Sequence, residues 1–126
     1  MTAPAPIPAD PETVARVRQA VAAAEDRKAV DLTVLHLQPV SDFTDYFLIC
    51  SGTNERQVQA IADGVQEKLR AEKSRPLHIE GYNKGLWVLL DYGDFVLHIF
   101  QEEPRRFYSL ERLWGDAPNV TAEFRT

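Results

Sequence analysis

The sequence predicts one α/β domain: a single mixed sheet of about five strands with helices mainly on one face. Three observations predict it. Residues 11–26 and 55–72 carry apolar side chains at helical spacing. Tyr46-Phe47-Leu48-Ile49-Cys50 is an unbroken apolar run, as in a strand buried on both faces. Residues 86–100 alternate as the two arms of a hairpin do. The 126 residues supply one core and no more.

Residues 1–10 are mostly Ala and Pro, and disorder is expected there. Asp10-Pro11-Glu12 opens a helix: an acid at the cap, Pro at the first position, then an acid near the positive end of the dipole. Val14, Val17, Val21 and Ala24 set its stripe, to about Asp26. From Val30 to Leu37 the chain alternates as a strand, with Val30, Leu32 and Val34 on one face. Pro39, Ser41 and Asp42 mark a turn before the central strand at 46–50. Asn54 caps the second helix, with Gln57 placed to fold back as in a capping box. Val58, Ile61, Ala62, Val65 and Leu69 form its stripe. Pro76–Glu80 is a short strand, and the β-α-β unit across the second helix is expected to be parallel and right-handed.

Asn83-Lys84-Gly85 is a turn, followed by strands at Leu86–Leu90 and Phe95–Phe100. If Tyr92-Gly93 is a two-residue loop, Leu90 faces Phe95 and Trp87 faces His98. Glu103-Pro104 starts a third helix with Phe107, Leu110 and Trp114 on one face, and Gly115 stops it. The folded domain is therefore expected over 11–115, with 116–126 as a mobile tail.

Nineteen acidic and 14 basic residues leave a net charge of −5. No Lys/Arg cluster stands out, and Arg105 and Arg106 adjoin Glu102 and Glu103. A direct grip on nucleic acid is disfavoured, since phosphate neutralisation supplies most of that affinity. An acidic protein can still join a nucleoprotein through one of its basic proteins. No apolar run approaches the roughly 20 residues of a membrane span. The opening residues, Met1 to Pro8, lack the basic and apolar regions of a secretory signal. The lone cysteine, Cys50, excludes an internal disulfide and a cysteine-built metal site, so a cytoplasmic location is the default.

The final hairpin is the most informative stretch. One face holds Leu86, Val88, Leu90, Phe95, Leu97 and Ile99, an apolar core face. The other holds Trp87, Leu89, Asp91, Asp94, Val96, His98 and Phe100. Large aromatics mixed with charge read two ways: a partly exposed protein-binding patch, or a face covered by the third helix with Trp87 beneath it. Cys50 and Arg56, with five residues between them at a strand-to-helix junction, have the spacing of a cysteine phosphatase loop. Gly52 is one position early for that loop, Ile49 replaces the usual His, and Glu55 would sit inside the phosphate cradle. A buried core cysteine is the favoured reading. Metal-dependent nucleotidyl transfer needs convergent carboxylates, and Asp91 and Asp94 merely flank a turn. His36, His78 and His98 lie on three strands without zinc spacing. Asn119-Val120-Thr121 matches a glycosylation sequon, which means nothing without secretion.

Three segments in order carry a family resemblance. They are Asp45-Tyr-Phe-Leu-Ile-Cys-Ser-Gly-Thr-Asn-Glu-Arg-Gln-Val58, Gly85-Leu-Trp-Val-Leu-Leu-Asp-Tyr-Gly-Asp-Phe-Val-Leu-His-Ile-Phe100 and Glu102-Glu-Pro-Arg-Arg-Phe-Tyr-Ser-Leu-Glu-Arg-Leu-Trp114. Together they resemble the ribosomal silencing factor (RsfS, or Iojap-like) family, from about Val21 to Trp114. The resemblance implies a reduced nucleotidyltransferase-like sheet without catalytic acids, no enzymatic activity and no cofactor. It implies binding to the large ribosomal subunit through its protein number fourteen, blocking association with the small subunit and repressing translation. It also suggests a homodimer; a dimer built on the same exposed patch would compete with ribosome binding. The family's interface residues carry over at Trp87, His98, Phe100, Gln101 and Tyr108, with Asp91, Glu102 and Glu103 supplying acid for a basic partner.

Overall fold

The computed structural model describes residues 10–125. In chain order they form α1 (Pro11–Asp26), β1 (Val30–His36), β2 (Tyr46–Gly52), α2 (Glu55–Ala71), β3 (His78–Glu80), β4 (Trp87–Asp91), β5 (Phe95–Gln101), α3 (Glu102–Tyr108), α4 (Leu110–Leu113) and α5 (Thr121–Phe124). The strands make one five-stranded mixed sheet in the order β1-β2-β5-β4-β3. Only β2 and β5 pair in parallel; the other neighbours are antiparallel. The segment expected to be disordered lies, except for Asp10, outside the described residues.

Local chemistry sets the two long helices. Asp10 accepts from the Glu12 N–H at 3.2 Å, with Pro11 at the first helical position. Asn54 Oδ1 accepts from the Gln57 N–H at 2.8 Å. Gln57 folds back, but onto the Thr53 N–H at 2.6 Å, one residue before the cap. Val17, Val21 and Ala24 of α1, and Val58, Ile61, Val65 and Leu69 of α2, are buried with Leu48, Cys50, Val88, Leu90, Phe95, Leu97 and Ile99. Both helices thus cover one face of the sheet. A smaller cluster, Leu35, Leu37, Phe47, Ile49, Val96 and Phe100, lies under Leu110, Trp114 and Ala117 on the other. Every residue of β2 is buried, as its continuous apolar run requires.

Several expectations are corrected. β2 and β3 do run the same way, but β5 and β4 lie between them. The hairpin loop is Gly93-Asp94: Gly93 has φ +90° and its N–H is accepted by Asp91 Oδ1 at 2.8 Å. Glycine at the first loop position suits that backbone. The register therefore pairs Leu90 with Leu97 and Trp87 with Phe100. This moves each partner by two residues, so the paired strand residues keep their faces. Leu86 is 49% exposed and not core. Val30 is exposed too, because β1 is irregular between Val30 and Thr33 and Asp31 takes φ +51°. Asp94 faces α1, bonded to Thr13 Oγ1 at 2.6 Å and ion-paired with Arg16.

The C-terminal third differs most. The expected single helix breaks at Ser109, which takes a left-handed φ of +47°. Leu110 turns onto the sheet while Phe107 stays 80% exposed. The presumed free tail is docked on the edge of β1: the His36 N–H donates to the Pro118 carbonyl and the Val120 N–H to the Val34 carbonyl, both at 2.9 Å. Phe124 is buried, its ring 5.6 Å from that of Tyr46. The fold therefore extends past Gly115.

Candidate functional site at the Trp87 end of the sheet

Trp87 opens β4 opposite Phe100, near the end of β5. Its ring stacks on Phe100 at 4.9 Å and 26°, and meets Tyr108 of α3 at 4.6 Å and 45°. The indole Nε1–H donates to His98 Nδ1 at 3.1 Å. That bond assigns the imidazole proton to Nε2, which is buried without a partner. His98 is 4% exposed, and its desolvation pushes the pKa from 6.5 down to about 4. The ring is neutral, a fixed acceptor beneath Trp87. The edge of Phe47 packs against it at 4.6 Å.

The face is part covered and part open. The chain from Leu110 to Ala117 covers its β1–β2–β5 part, and Trp87 and Leu89 lie partly buried at the margin. His98 and Phe100 are floor, not contact surface. They support Trp87 from below. Tyr108 is half exposed, on the surface over Trp87. The Gln101 side chain donates to the Gly85 carbonyl at 2.9 Å, and its N–H to the Leu86 carbonyl at 3.0 Å, tying the 85–87 turn to the strand end. Glu102 and Glu103 are exposed on α3, with Arg106 3.6 Å from Glu102. Asp91 is not in this group. It sits four residues along β4, roughly 13 Å away, and serves the hairpin turn.

Between α3 and the 86–87 segment lies an open cleft of ≈610 Å³, lined by Leu86, Trp87, Glu102, Glu103, Phe107 and Tyr108 among others. Leu86 and Phe107 escaped the sequence reading because alternation and helical spacing both assigned them inward. The signal against that lay only in the break at Ser109 and in the late start of β4. The cleft has an aromatic floor, apolar walls and a rim of Glu102, Glu103 and Arg106.

The candidate chemical groups are placed differently. Cys50 is fully buried, and its thiol is pushed up to about 12 by desolvation, which outweighs Arg105. A thiolate nucleophile is not available there at neutral pH. A Cβ on Gly52 would come within 2.9 Å of Val58 Cγ2, so this glycine lets α2 pack close to the strand end. Gln57 occupies the Thr53 N–H that a phosphate would need. Asp91 and Asp94 point to different partners. Among the described residues no group of three or more His, Cys, Asp or Glu is placed to hold a metal ion. No described helix is long and apolar enough to cross a membrane.

Residues 10–126 match the family described as "Ribosomal silencing factor during starvation". A ribosomal silencing factor of Halalkalibacterium halodurans is 43% identical over 104 residues, covering 82% of this chain and 89% of that protein. The mouse protein named mitochondrial assembly of ribosomal large subunit protein 1 is 35% identical over 89 residues, 68% of this chain and 39% of its own. A crystal structure of a Chromobacterium violaceum protein superposes with TM-score 0.78 at 32% identity, covering 85% of this chain and 88% of that one.

Proposed function

The chain belongs to the ribosomal silencing factor family, and from that premise we propose that it represses translation by binding, without chemistry. It docks on the large ribosomal subunit through the subunit's protein number fourteen and leaves no room for the small subunit. The observation that carries this reading is the half-buried Trp87 under the exposed Tyr108, beside the Glu102–Glu103 rim. Partly accessible Trp and Tyr side chains on a buried aromatic floor are where interface energy concentrates. The acids match a basic ribosomal protein. The name of the mouse relative, which mentions the large subunit, agrees with that partner. An enzymatic alternative loses its two candidate groups, the buried Cys50 thiol and the divergent Asp91 and Asp94. We place the protein in the cytoplasm, where ribosomes are, and propose a homodimer that competes with the ribosome for the Trp87 face.

Co-sedimentation of the purified protein with separated subunits tests this, followed by mixing at subunit-joining magnesium. The expected result is migration with the large subunit alone and fewer joined ribosomes. Failure to bind the large subunit would overturn the reading. Binding through a protein also predicts shallow salt dependence; a steep loss of affinity with salt would instead indicate phosphate contacts.

A further inference from the structure

Helix α3 carries the exposed half of the cleft, yet buries none of its seven residues. So short a helix has no stability of its own. Neither end has a side-chain cap from Gln101 or Ser109. Apart from the Tyr108–Trp87 ring contact, what ties it down is one guanidinium. The Arg105 side chain is 12% exposed. Its Nε donates to Glu111 Oε1 at 2.7 Å, one terminal nitrogen to Ser51 Oγ at 2.8 Å and the other to Thr33 Oγ1 at 3.4 Å. These acceptors belong to α4, the end of β2 and β1. A planar fork reaches all three at once, which a lysine ammonium on a flexible stem does not.

We propose that Arg105 is the positioning residue of the docking face. Its fork fastens α3 to the sheet and so holds Tyr108 against Trp87, with Glu102 and Glu103 over the cleft. The inference rests on the reading of the Trp87 face as the docking surface. Arg105 itself does not line the cleft, so its effect on a partner passes through Tyr108. Because α3 contributes nothing to either core cluster, loosening it leaves the rest of the fold standing.

The test compares the full-length protein with Arg105→Lys, Ser51→Ala and Tyr108→Ala. It uses the Trp87 indole N–H resonance, the thermal midpoint and co-sedimentation with purified large subunits. Arg105→Lys is expected to stay folded and to move the Trp87 resonance toward its position in Tyr108→Ala. Affinity should weaken on the order of tenfold, the loss of part of one anchor. Ser51→Ala removes one acceptor only and should move the resonance the same way by less; it decides the matter if Arg105→Lys does not fold. A Trp87 resonance unmoved in both variants overturns the proposal. A resonance that moves while subunit affinity stays unchanged upholds the clamp and instead refutes the docking reading.

Discussion

Replacing Trp87 by Ala tests the site most directly, because the structure gives separate magnitudes for stability and binding. Within the monomer the indole packs most closely on Phe100 at 4.9 Å and Tyr108 at 4.6 Å. Each such pair is worth about 0.5–1.5 kcal/mol. The change also takes the donor from His98 Nδ1, whose Nε2 already lacks a partner. Leaving a buried acceptor bare costs about 1–3 kcal/mol. The sum is about 2–6 kcal/mol, reduced toward the lower end because Trp87 is only partly buried and water reaches the vacated space. A domain with stability on the order of 5–15 kcal/mol withstands the lower part of that range. For binding, removal of a central aromatic anchor costs about 2 kcal/mol or more, roughly a 30-fold weaker Kd. The assay is urea unfolding first, then sedimentation with large subunits where the variant is demonstrably folded. Trp87→Phe sharpens it, keeping the stack on Phe100 and losing the N–H. A folded Trp87→Ala protein with undiminished affinity would refute the reasoning.

Other consequences are as concrete. His98 has a folded pKa of about 4 against 6.5, so below 6.5 the unfolded chain binds a proton that the folded one refuses. Its stability contribution is full above pH 6.5 and falls by about 1.4 kcal/mol per pH unit toward pH 4, about 3 kcal/mol in all. Urea midpoints at pH 7, 6 and 5 should show that slope and lose it in His98→Phe; an equal slope in both proteins would assign it elsewhere. Cys50→Ser puts a hydroxyl in a fully buried apolar site and should cost about 1–3 kcal/mol of stability while leaving ribosome binding intact. Loss of binding from a well-folded Cys50→Ser protein would reopen thiol chemistry. Phe124→Ala should destabilise by about 3 kcal/mol if the C-terminal segment is part of the core. A thermal midpoint equal to that of the unaltered protein would show that segment to be dispensable.

Much of this was legible in the sequence because it depends on near neighbours. The caps at Asp10 and Asn54 and the stripes of both long helices are patterns spanning a few residues. So are the buried run of β2 and the two faces of the hairpin. The hairpin register was misplaced by two, since Tyr92-Gly93 and Gly93-Asp94 are equally plausible loops until the Asp91 side chain is seen bonded to the Gly93 N–H. Trp87 was identifiable as an odd aromatic on a mixed face. His98 and Phe100 shared its face, and whether they lay above or below the surface depended on the segment from Leu110 to Ala117.

The sequence by itself determined the fold class and Trp87 as the residue to watch. Each rests on periodicity, charge or side-chain type. Only the tertiary structure decided that the helix breaks at Ser109, that Phe107 and Leu86 face solvent, that Arg105 clamps α3 and that residues 117–124 close the edge of β1. These features depend on partners tens of residues apart: Arg105 on Ser51 and Thr33, Pro118 and Val120 on β1. A left-handed serine carries no pattern of its own, and a strap held by backbone bonds and one phenylalanine has no period to read.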